Sequence, residues 1–187
     1  MAVVTATTLD SQAALLSKYD SAKHNQSILR RYDADVVHKV DAHDLPALNR
    51  RRFPGNDWHT VIWNFPYPIA TDRHGRPCER FGGSQGNALM RGFFASLTDP
   101  ASRVPVGAEL RLTLNKQHLA GAVGPRGGEP VAWGVEEMAD SYGFQLVASV
   151  PFAAVARAHP GYWPRREHTD EGFPHADARL LMFRRRR

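Results

Sequence analysis

The segment His59-Thr60-Val61-Ile62-Trp63-Asn64-Phe65-Pro66-Tyr67 predicts a buried β-strand that ends at a proline. Its β-branched and aromatic residues are typical of strands. Pro66 has no backbone N–H with which to continue a sheet ladder. Asn64, Phe65 and Tyr67 are therefore expected at the carboxyl end of the strand, which is the edge of an α/β sheet where ligands bind.

An Asn-x-Pro-aromatic sequence at a strand end offers an amide oxygen, a backbone carbonyl turned outward by the proline, and a ring face. Together these groups can accept hydrogen bonds from a planar nitrogen group and stack on its ring. Methyl transfer to an amide or imide nitrogen requires such orientation. Asn64, Pro66 and Tyr67 are thus candidate catalytic residues. The alternative is an ordinary strand followed by a proline turn.

The remaining sequence alternates short apolar strands with longer amphipathic stretches. The predicted strands cover 3–8, 34–40, 59–64, 108–114, 144–150 and 179–183, and the predicted helices cover 12–31, 44–48, 87–97 and 133–142. This alternation predicts an α/β fold with a mainly parallel sheet, helices on both faces and right-handed crossovers. The last two strands have no long helix between them, which predicts a C-terminal antiparallel hairpin. Other doubly wound folds fit the same pattern.

Two aspartates follow the first two predicted strands. Asp10, next to Ser11, could accept hydrogen bonds from ribose hydroxyls, or cap the following helix. Asp41 could bind an adenine amino group, and Ala42 is small enough for a purine to lie against its backbone. A solvated turn aspartate is the alternative for Asp41. The two strand ends together are compatible with a nucleoside ligand.

Composition limits the class of protein. A chain of 187 residues with 42% hydrophobic residues fits one domain. The sequence contains no apolar run long enough for a membrane span and no basic-then-apolar start typical of a signal peptide. The single cysteine, Cys78, excludes an internal disulfide and a multi-cysteine zinc site. We therefore expect a cytoplasmic protein without membrane contact.

The positive charge is concentrated at one end. The net charge is +5, and Arg184–Arg187 supply four of those charges, which leaves +1 on residues 1–183. The sequence predicts one domain over 1–183 and a basic tail over 184–187. Such a tail binds phosphate groups through counterion release, or serves only as a disordered solubilising end.

Other features carry weaker hypotheses. The nine histidines are scattered without a paired metal-binding spacing, so we expect no metal site. The glycine-rich stretch from Ile69 to Gly86 suggests a flexible lid. Several aromatic side chains could stack on a base, although buried aromatics are commoner: Trp133, Tyr162, Trp163 and Phe173.

Taken in order, the residues resemble the Rossmann-like domain of the eukaryotic large-subunit rRNA (uridine-N3)-methyltransferase family, in register from about Val3 to Phe183. The central matching segments are Thr7-Thr8-Leu9-Asp10-Ser11 with Lys18-Tyr19, Val40-Asp41-Ala42 with Leu45, Val61-Ile62-Trp63-Asn64-Phe65-Pro66, Asn87-Ala88-Leu89 with Phe93-Phe94-Ala95-Ser96, and Glu109 to Leu114. The later matches are Trp133, Met138-Ala139, Gly143-Phe144, Pro160-Gly161-Tyr162, Arg165-Arg166, Phe173 and Phe183.

The resemblance implies a methyltransferase that uses S-adenosylmethionine (AdoMet) to modify a ring or amide nitrogen of RNA or of a small heteroaromatic molecule. The implied cofactor-binding residues are Asp10, Ser11, Asp41, Ala42, Asn64 and Phe65. Two alternatives stay open. One is a non-catalytic methyltransferase-like module that binds RNA or a protein partner. The other is an enzyme that reuses the fold on a small metabolite without AdoMet.

The sequence departs from the family at two places. Tyr67 stands where the family has a histidine, and a phenol keeps its proton at neutral pH. The family's first strand and its Gly-Glu-Gly-x-Phe-Ser-Phe loop have no counterpart before Val3. We therefore expect either a chain shortened at its N-terminus or a divergent member with a rearranged sheet. A strand from a second copy could fill such a gap, which suggests a homodimer.

Overall fold

A computed structural model describes residues 3–66, 83–119, 132–159 and 176–187. Six strands lie in these segments: β1 Thr5–Thr8, β2 Asp35–His38, β3 Thr60–Asn64, β4 Glu109–Leu114, β5 Phe144–Pro151 and β6 Arg179–Arg185. Six α-helices alternate with them: α1 Gln12–Lys18, α2 Ala22–Arg31, α3 Leu45–Arg52, α4 Gly83–Thr98, α5 Val135–Ser141 and α6 Phe152–Ala158. Short 3₁₀ turns occupy Ala42–Asp44, Pro100–Ser102 and Lys116–His118.

The strands form two sheets. β1 and β2 pair in parallel, with Thr5 opposite Asp35. The other sheet has four strands in the order β3-β4-β6-β5, in which β3 and β4 are parallel and β6 is antiparallel to both of its neighbours. Within the part of the chain that the structure describes, β1 and β3 each pair with one strand only. No strand pairing joins the β1–β2 pair to the four-stranded sheet in this part of the chain.

The predicted α/β fold with an antiparallel final strand is confirmed, with local differences. The stretch predicted as one helix over 12–31 is two helices, interrupted at Tyr19–Ser21, where Asp20 and Ser21 favour a turn over a helix interior. α4 begins at Gly83, so the end of the predicted glycine-rich lid is helical. α6 was not predicted, because its start has no side-chain cap and only Pro151 precedes it.

The main hydrophobic core lies between one face of the four-stranded sheet and the helices α4 and α5. Alternate β4 residues Leu110, Leu112 and Leu114 are buried on this face, as the strand period requires. Phe93 of α4 packs edge-on against Trp63 of β3, with ring centroids 4.4 Å apart. This packing fixes β3, and with it the candidate strand end at Asn64.

The unit that contains β1, α1, α2 and β2 has little core of its own. Its buried residues are Ala22, Gln26 and Ala34, and α1 buries none. Several of its large apolar side chains are exposed: Val3, Val4, Leu9, Leu16 and Ile28. Because burial of apolar area supplies most folding free energy, this unit depends on its connection to the rest of the fold.

A polar network provides that connection. The buried Asn49 of α3 donates from Nδ2 to the carbonyl oxygens of Ala101 and Ser102, and its Oδ1 accepts from the Trp58 indole at 2.6 Å. The Leu45 amide donates to Ser96 Oγ of α4 at 2.9 Å. The chain after β2 is therefore fastened to α4 and to the turn that follows it.

Two of the four terminal arginines lie in a strand rather than in the predicted tail. Arg184 and Arg185 belong to β6, two residues beyond the predicted boundary. The Arg185 guanidinium donates to the carbonyl oxygens of Leu97 and Val104, and Arg186 Nε donates to Gln145 Oε1 at 2.7 Å. Charge alone suggested a solvated end, whereas the carbonyl groups at and after the end of α4 hold the Arg185 side chain against the domain. The other three arginines are exposed.

The close approach of Trp133 to α4 supports a stability prediction. A Cβ atom at Gly86 of α4 would lie 2.1 Å from the indole of Trp133, which is fully buried. Overpacking costs roughly 1–3 kcal/mol, or more, and this exceeds the gain of about 1 kcal/mol from replacing a helical glycine by alanine. We expect Gly86→Ala to lower the free energy of unfolding in a denaturant titration. Gln85→Ala, at an exposed neighbouring position, is the control and should change it little.

Candidate functional site

The carboxyl end of β3 carries a fixed polar side chain. Thr113 of β4 lies opposite Asn64 in the parallel register, and its hydroxyl donates to Asn64 Oδ1 at 2.7 Å. Thr113 is fully buried. A buried hydroxyl with this partner holds the Asn64 amide in one orientation, and the amide oxygen keeps a second lone pair for another donor.

Phe65 follows in an unusual backbone conformation. Its φ is 52°, in the left-handed region that a residue before proline rarely adopts. The Phe65 amide donates to the Thr113 carbonyl at 2.9 Å, and its ring packs edge-on against Phe152 with centroids 5.1 Å apart. Pro66 is buried. Strained residues of this kind persist where the surroundings hold them and are concentrated at functional sites.

Asp10 is engaged by a lysine rather than by the helix cap. Lys18 Nζ of α1 lies 2.8 Å from Asp10 Oδ1, and both side chains are partly exposed. Ser11 is the N-cap residue of α1, since its Oγ accepts from the Ala14 amide at 3.2 Å. In the predicted capping sequence, Ser11 therefore caps the helix and Asp10 pairs with Lys18. The Asp10 carboxylate retains an oxygen that the ion pair does not use.

Asp41 caps the short 3₁₀ turn that follows β2. Its Oδ1 accepts from the His43 amide at 2.9 Å, and Asp41 is exposed. Ala42 packs against the hydrophobic core. The His43 ring donates from Nε2 to the Leu89 carbonyl of α4 at 2.9 Å. Asp41 therefore sits on a turn that is fixed to α4.

The structure brings Asp10 and Asp41 to the same end of the β1–β2 pair. The Lys39 amide donates to the Asp10 carbonyl at 3.2 Å, and the Val40 amide donates to the Thr8 carbonyl at 3.0 Å. Asn64 ends a strand of the other sheet, and among the described residues no hydrogen bond or ion pair joins it to either aspartate. Tyr67, the remaining candidate, lies outside the described residues.

Sequence reasoning missed Thr113 and Lys18. Thr113 shows no signal, because it lies in an apolar strand where a threonine is ordinary. Lys18 follows Asp10 by eight residues, which is not the spacing of three or four that brings side chains together on a helix. The sequence pattern therefore gave no reason to pair them. Trp133 was a candidate for base stacking, but it is buried against the His118 ring, with centroids 4.2 Å apart. The candidates Tyr162, Trp163 and Phe173 lie outside the described residues.

The described part of the chain lacks a clustered metal site and a membrane-spanning helix. Over residues 3–66, 83–119, 132–159 and 176–187, no three histidine, cysteine or acidic side chains gather as a metal site would require. Within the same ranges, none of the helices has the length and apolar character that a membrane span needs.

A domain with these two groups of strands and these strand ends is of the Rossmann-like methyltransferase class. A family model described as "BMT5-like: rRNA (uridine-N3-)-methyltransferase BTM5-like" matches residues 1–166. The chain therefore belongs to this family, as the sequence resemblance predicted.

Two plant proteins are similar to the chain, each at less than 30% sequence identity. The chain is 26% identical over 185 residues to the uncharacterized protein At4g26485 of Arabidopsis thaliana, covering 96% of this chain and 79% of the relative. It is 29% identical over 188 residues to heavy metal-associated isoprenylated plant protein 41 of the same organism, where the match covers 97% of this chain but 32% of the relative.

A solved structure supports the fold. The structure described as "Conversion of a Disulfide Bond into a Thioacetal Group during Echinomycin Biosynthesis" matches with a TM-score of 0.52 at 16% sequence identity. The match covers 98% of this chain and 66% of that one. At this level of identity, the likeness concerns the fold alone.

The Thr113–Asn64 contact generates a prediction. Thr113→Val keeps the side-chain shape but leaves the Asn64 oxygen without its donor, which typically costs about 1–3 kcal/mol. We expect a lower free energy of unfolding for Thr113→Val and near-wild-type stability for Thr113→Ser. In a double-mutant cycle with Asn64→Ala, the two effects should be less than additive. Full additivity would show that the hydroxyl does not interact with Asn64.

Proposed function

We propose that the chain is an AdoMet-dependent N-methyltransferase that acts on a ring or amide nitrogen of RNA. The observation that carries the proposal is the strand end at Asn64, where a buried hydroxyl orients an amide beside a strained Phe65 backbone. Membership of an rRNA (uridine-N3-)-methyltransferase family supports RNA as the acceptor. A small heteroaromatic acceptor would present the same planar nitrogen group. We place the reaction in the cytoplasm.

The residues at the ends of β1 and β2 fit the cofactor's nucleoside. The Asp10 oxygen that Lys18 does not hold can accept from ribose hydroxyls, with Ser11 next to it. Asp41 uses one oxygen for the His43 amide, and the other can accept from an adenine amino group beside Ala42. When bound, AdoMet supplies the electrophilic methyl group. Asn64 and Phe65 lie at the next strand end, where the cofactor's reactive portion and the acceptor would meet.

The acceptor nitrogen is held by Asn64. Its Oδ1 has one lone pair occupied by Thr113 and can use the other for the N–H of the acceptor. This hydrogen bond aligns the nitrogen for in-line attack. Because an amide oxygen accepts a hydrogen bond but does not take up a proton, the N–H proton is released to water as the new N–C bond forms. Pro66 ends the strand so that the Asn64 side chain lies at the sheet edge, and Tyr67 is proposed to stack on the acceptor ring.

The cofactor assignment gives a binding prediction. Asp10→Asn removes the carboxylate, and a hydrogen bond to a charged group is worth about 1.5–3 kcal/mol. We therefore expect AdoMet binding, measured by calorimetry, to weaken roughly 10- to 100-fold. Asp57→Asn is the control, since Asp57 pairs with Arg103 and is partly exposed. Equal affinity in both variants would contradict the role of Asp10.

The lack of pairing between the two sheets favours a second candidate function. Among the described residues, β1 and β3 each have one edge without a strand partner, and such an edge is a template for another chain. A methyltransferase-like module that completes its sheet with a partner, including a second copy of itself, would use these edges. If the chain shows no AdoMet binding in calorimetry but binds RNA or a protein, it is this module.

The homodimer version is measurable. If a second copy supplies the missing pairing, light scattering should give twice the monomer mass of 20.9 kDa at micromolar concentration. Ile62 of β3 is 57% exposed, and Ile62→Lys should then shift the mass toward the monomer. Lys at Val106, which is also exposed but outside the strands, should leave the mass unchanged. A monomer at all concentrations would contradict the homodimer.

A further inference from the structure

Three consecutive exposed arginines lie at the end of α3. Arg50, Arg51 and Arg52 end this helix, all three are exposed, and none makes a hydrogen bond or ion pair with a described residue. By contrast, Arg103 and Arg111 pair with Asp57 and Glu109. The end of α3 is therefore a run of consecutive exposed cations without partners in the described structure.

Two adjoining clefts lie beside this helix end. Their volumes are about 290 and 540 Å³, and both are lined by Val37, His38, Lys39 and Arg52. Arg51 also lines the smaller cleft. Residues of β2 line both clefts, and in the described chain β2 pairs with β1 alone. The result is a depression lined by residues of and after β2 and by arginines of α3.

The charge of the depression is positive despite its aspartates. In each cleft, the lysine and arginine side chains outnumber the aspartates by one. Asp41 and Asp44 of the smaller cleft also accept hydrogen bonds from the backbone amides of His43 and Ala47, so one oxygen of each carboxylate is engaged in capping. Arg50 adds a further cation next to this lining. We name Lys39, Arg50, Arg51 and Arg52 the α3 basic surface.

We propose that the α3 basic surface binds the sugar-phosphate backbone of RNA. Consecutive helix residues point about 100° apart, so three successive arginines cannot all meet one small anion. They suit an extended polyanion that passes the helix end, and guanidinium groups bind phosphate oxygens in a bidentate manner. The choice of RNA rests on the proposed function, and the surface lies at the strand next to the one that carries Asp10.

An exposed aromatic residue favours RNA over an acidic protein segment. Tyr32 is 81% exposed and follows the last residue of α2. It precedes by three residues Asp35, which lines the larger cleft. Unpaired bases of RNA stack on exposed tyrosine rings, and such stacking gives affinity that an acidic peptide does not gain. Cations together with a free ring therefore match single-stranded RNA.

The test compares two triple variants with equal loss of charge. Arg50→Gln/Arg51→Gln/Arg52→Gln removes the α3 arginines and keeps good helix formers. Lys116→Gln/Arg157→Gln/Arg184→Gln removes three exposed cations from the other sheet's elements. Binding of a fluorescent uridine-rich RNA oligonucleotide is followed by anisotropy from about 50 to 200 mM salt without AdoMet. Circular dichroism and thermal midpoints verify the fold of both variants.

We expect the α3 variant to bind RNA at least ten times more weakly. The slope of its log affinity against log salt concentration should become less steep by about two, since each phosphate contact contributes about 0.7–0.9 to that slope. The control variant should change RNA affinity less than threefold. Tyr32→Ala, made alone in the parent chain, should also weaken RNA binding. Equal loss in both triple variants, or no RNA binding by the parent chain, would overturn the proposal. So would poly-glutamate binding as tight as RNA and equally dependent on these arginines.

Calorimetry with AdoMet on the same proteins separates this inference from the proposed function. RNA binding that depends on the α3 arginines in a chain that does not bind AdoMet would support the surface and contradict the methyltransferase. If the chain binds AdoMet and its RNA affinity does not depend on these arginines, the result would support the methyltransferase and contradict the RNA-binding surface.

Discussion

The candidate site depends on the attachment of the chain after β2 to α4. β1 and β3 share no strand pairing in the described structure, so the distance from Asp10 and Asp41 to Asn64 is set elsewhere. The contacts that set it are polar and specific: His43 to Leu89, Leu45 to Ser96, and Asn49 to the turn after α4. A buried amide such as Asn49 is costly when one of its partners is removed. This network therefore determines whether the two halves of the site face one ligand.

The hydrophobic core supports only one half of that arrangement. α4 and α5 bury one face of the four-stranded sheet, which makes β3 and its strand end rigid. The β1–β2 unit leaves much of its apolar surface exposed. In the function proposed above, the well-packed half at Asn64 would position the reacting nitrogen, and the less supported half at Asp10 would adjust to a nucleoside. Regions with few buried contacts open at lower free energy than the core.

The sequence predicts the strands well because each has a local pattern: β-branched residues, a following proline or aspartate, and alternation against a helix. The position of Asn64 at a strand end follows from Pro66 alone. The Thr113 hydroxyl and the Lys18 ion pair could not be predicted, because both depend on residues that the fold brings together. The division into two sheets was also beyond local patterns, since strand order is set by long-range pairing. Charge counting failed at the C-terminus for the same reason.

Arginine has different roles at different positions of this chain, and at Arg185 the role is structural. Its guanidinium meets the carbonyl groups of Leu97, Thr98 and Val104, the last acceptors of a helix and of the turn beyond it. Only a planar, forked donor reaches several acceptors at once, so geometry selects arginine there. At Arg51 no acceptor within the described structure requires that fork, because the side chain is exposed and makes no hydrogen bond with a described residue. Folding therefore selects arginine at position 185, whereas at position 51 only the proposed contact with phosphate favours arginine over lysine.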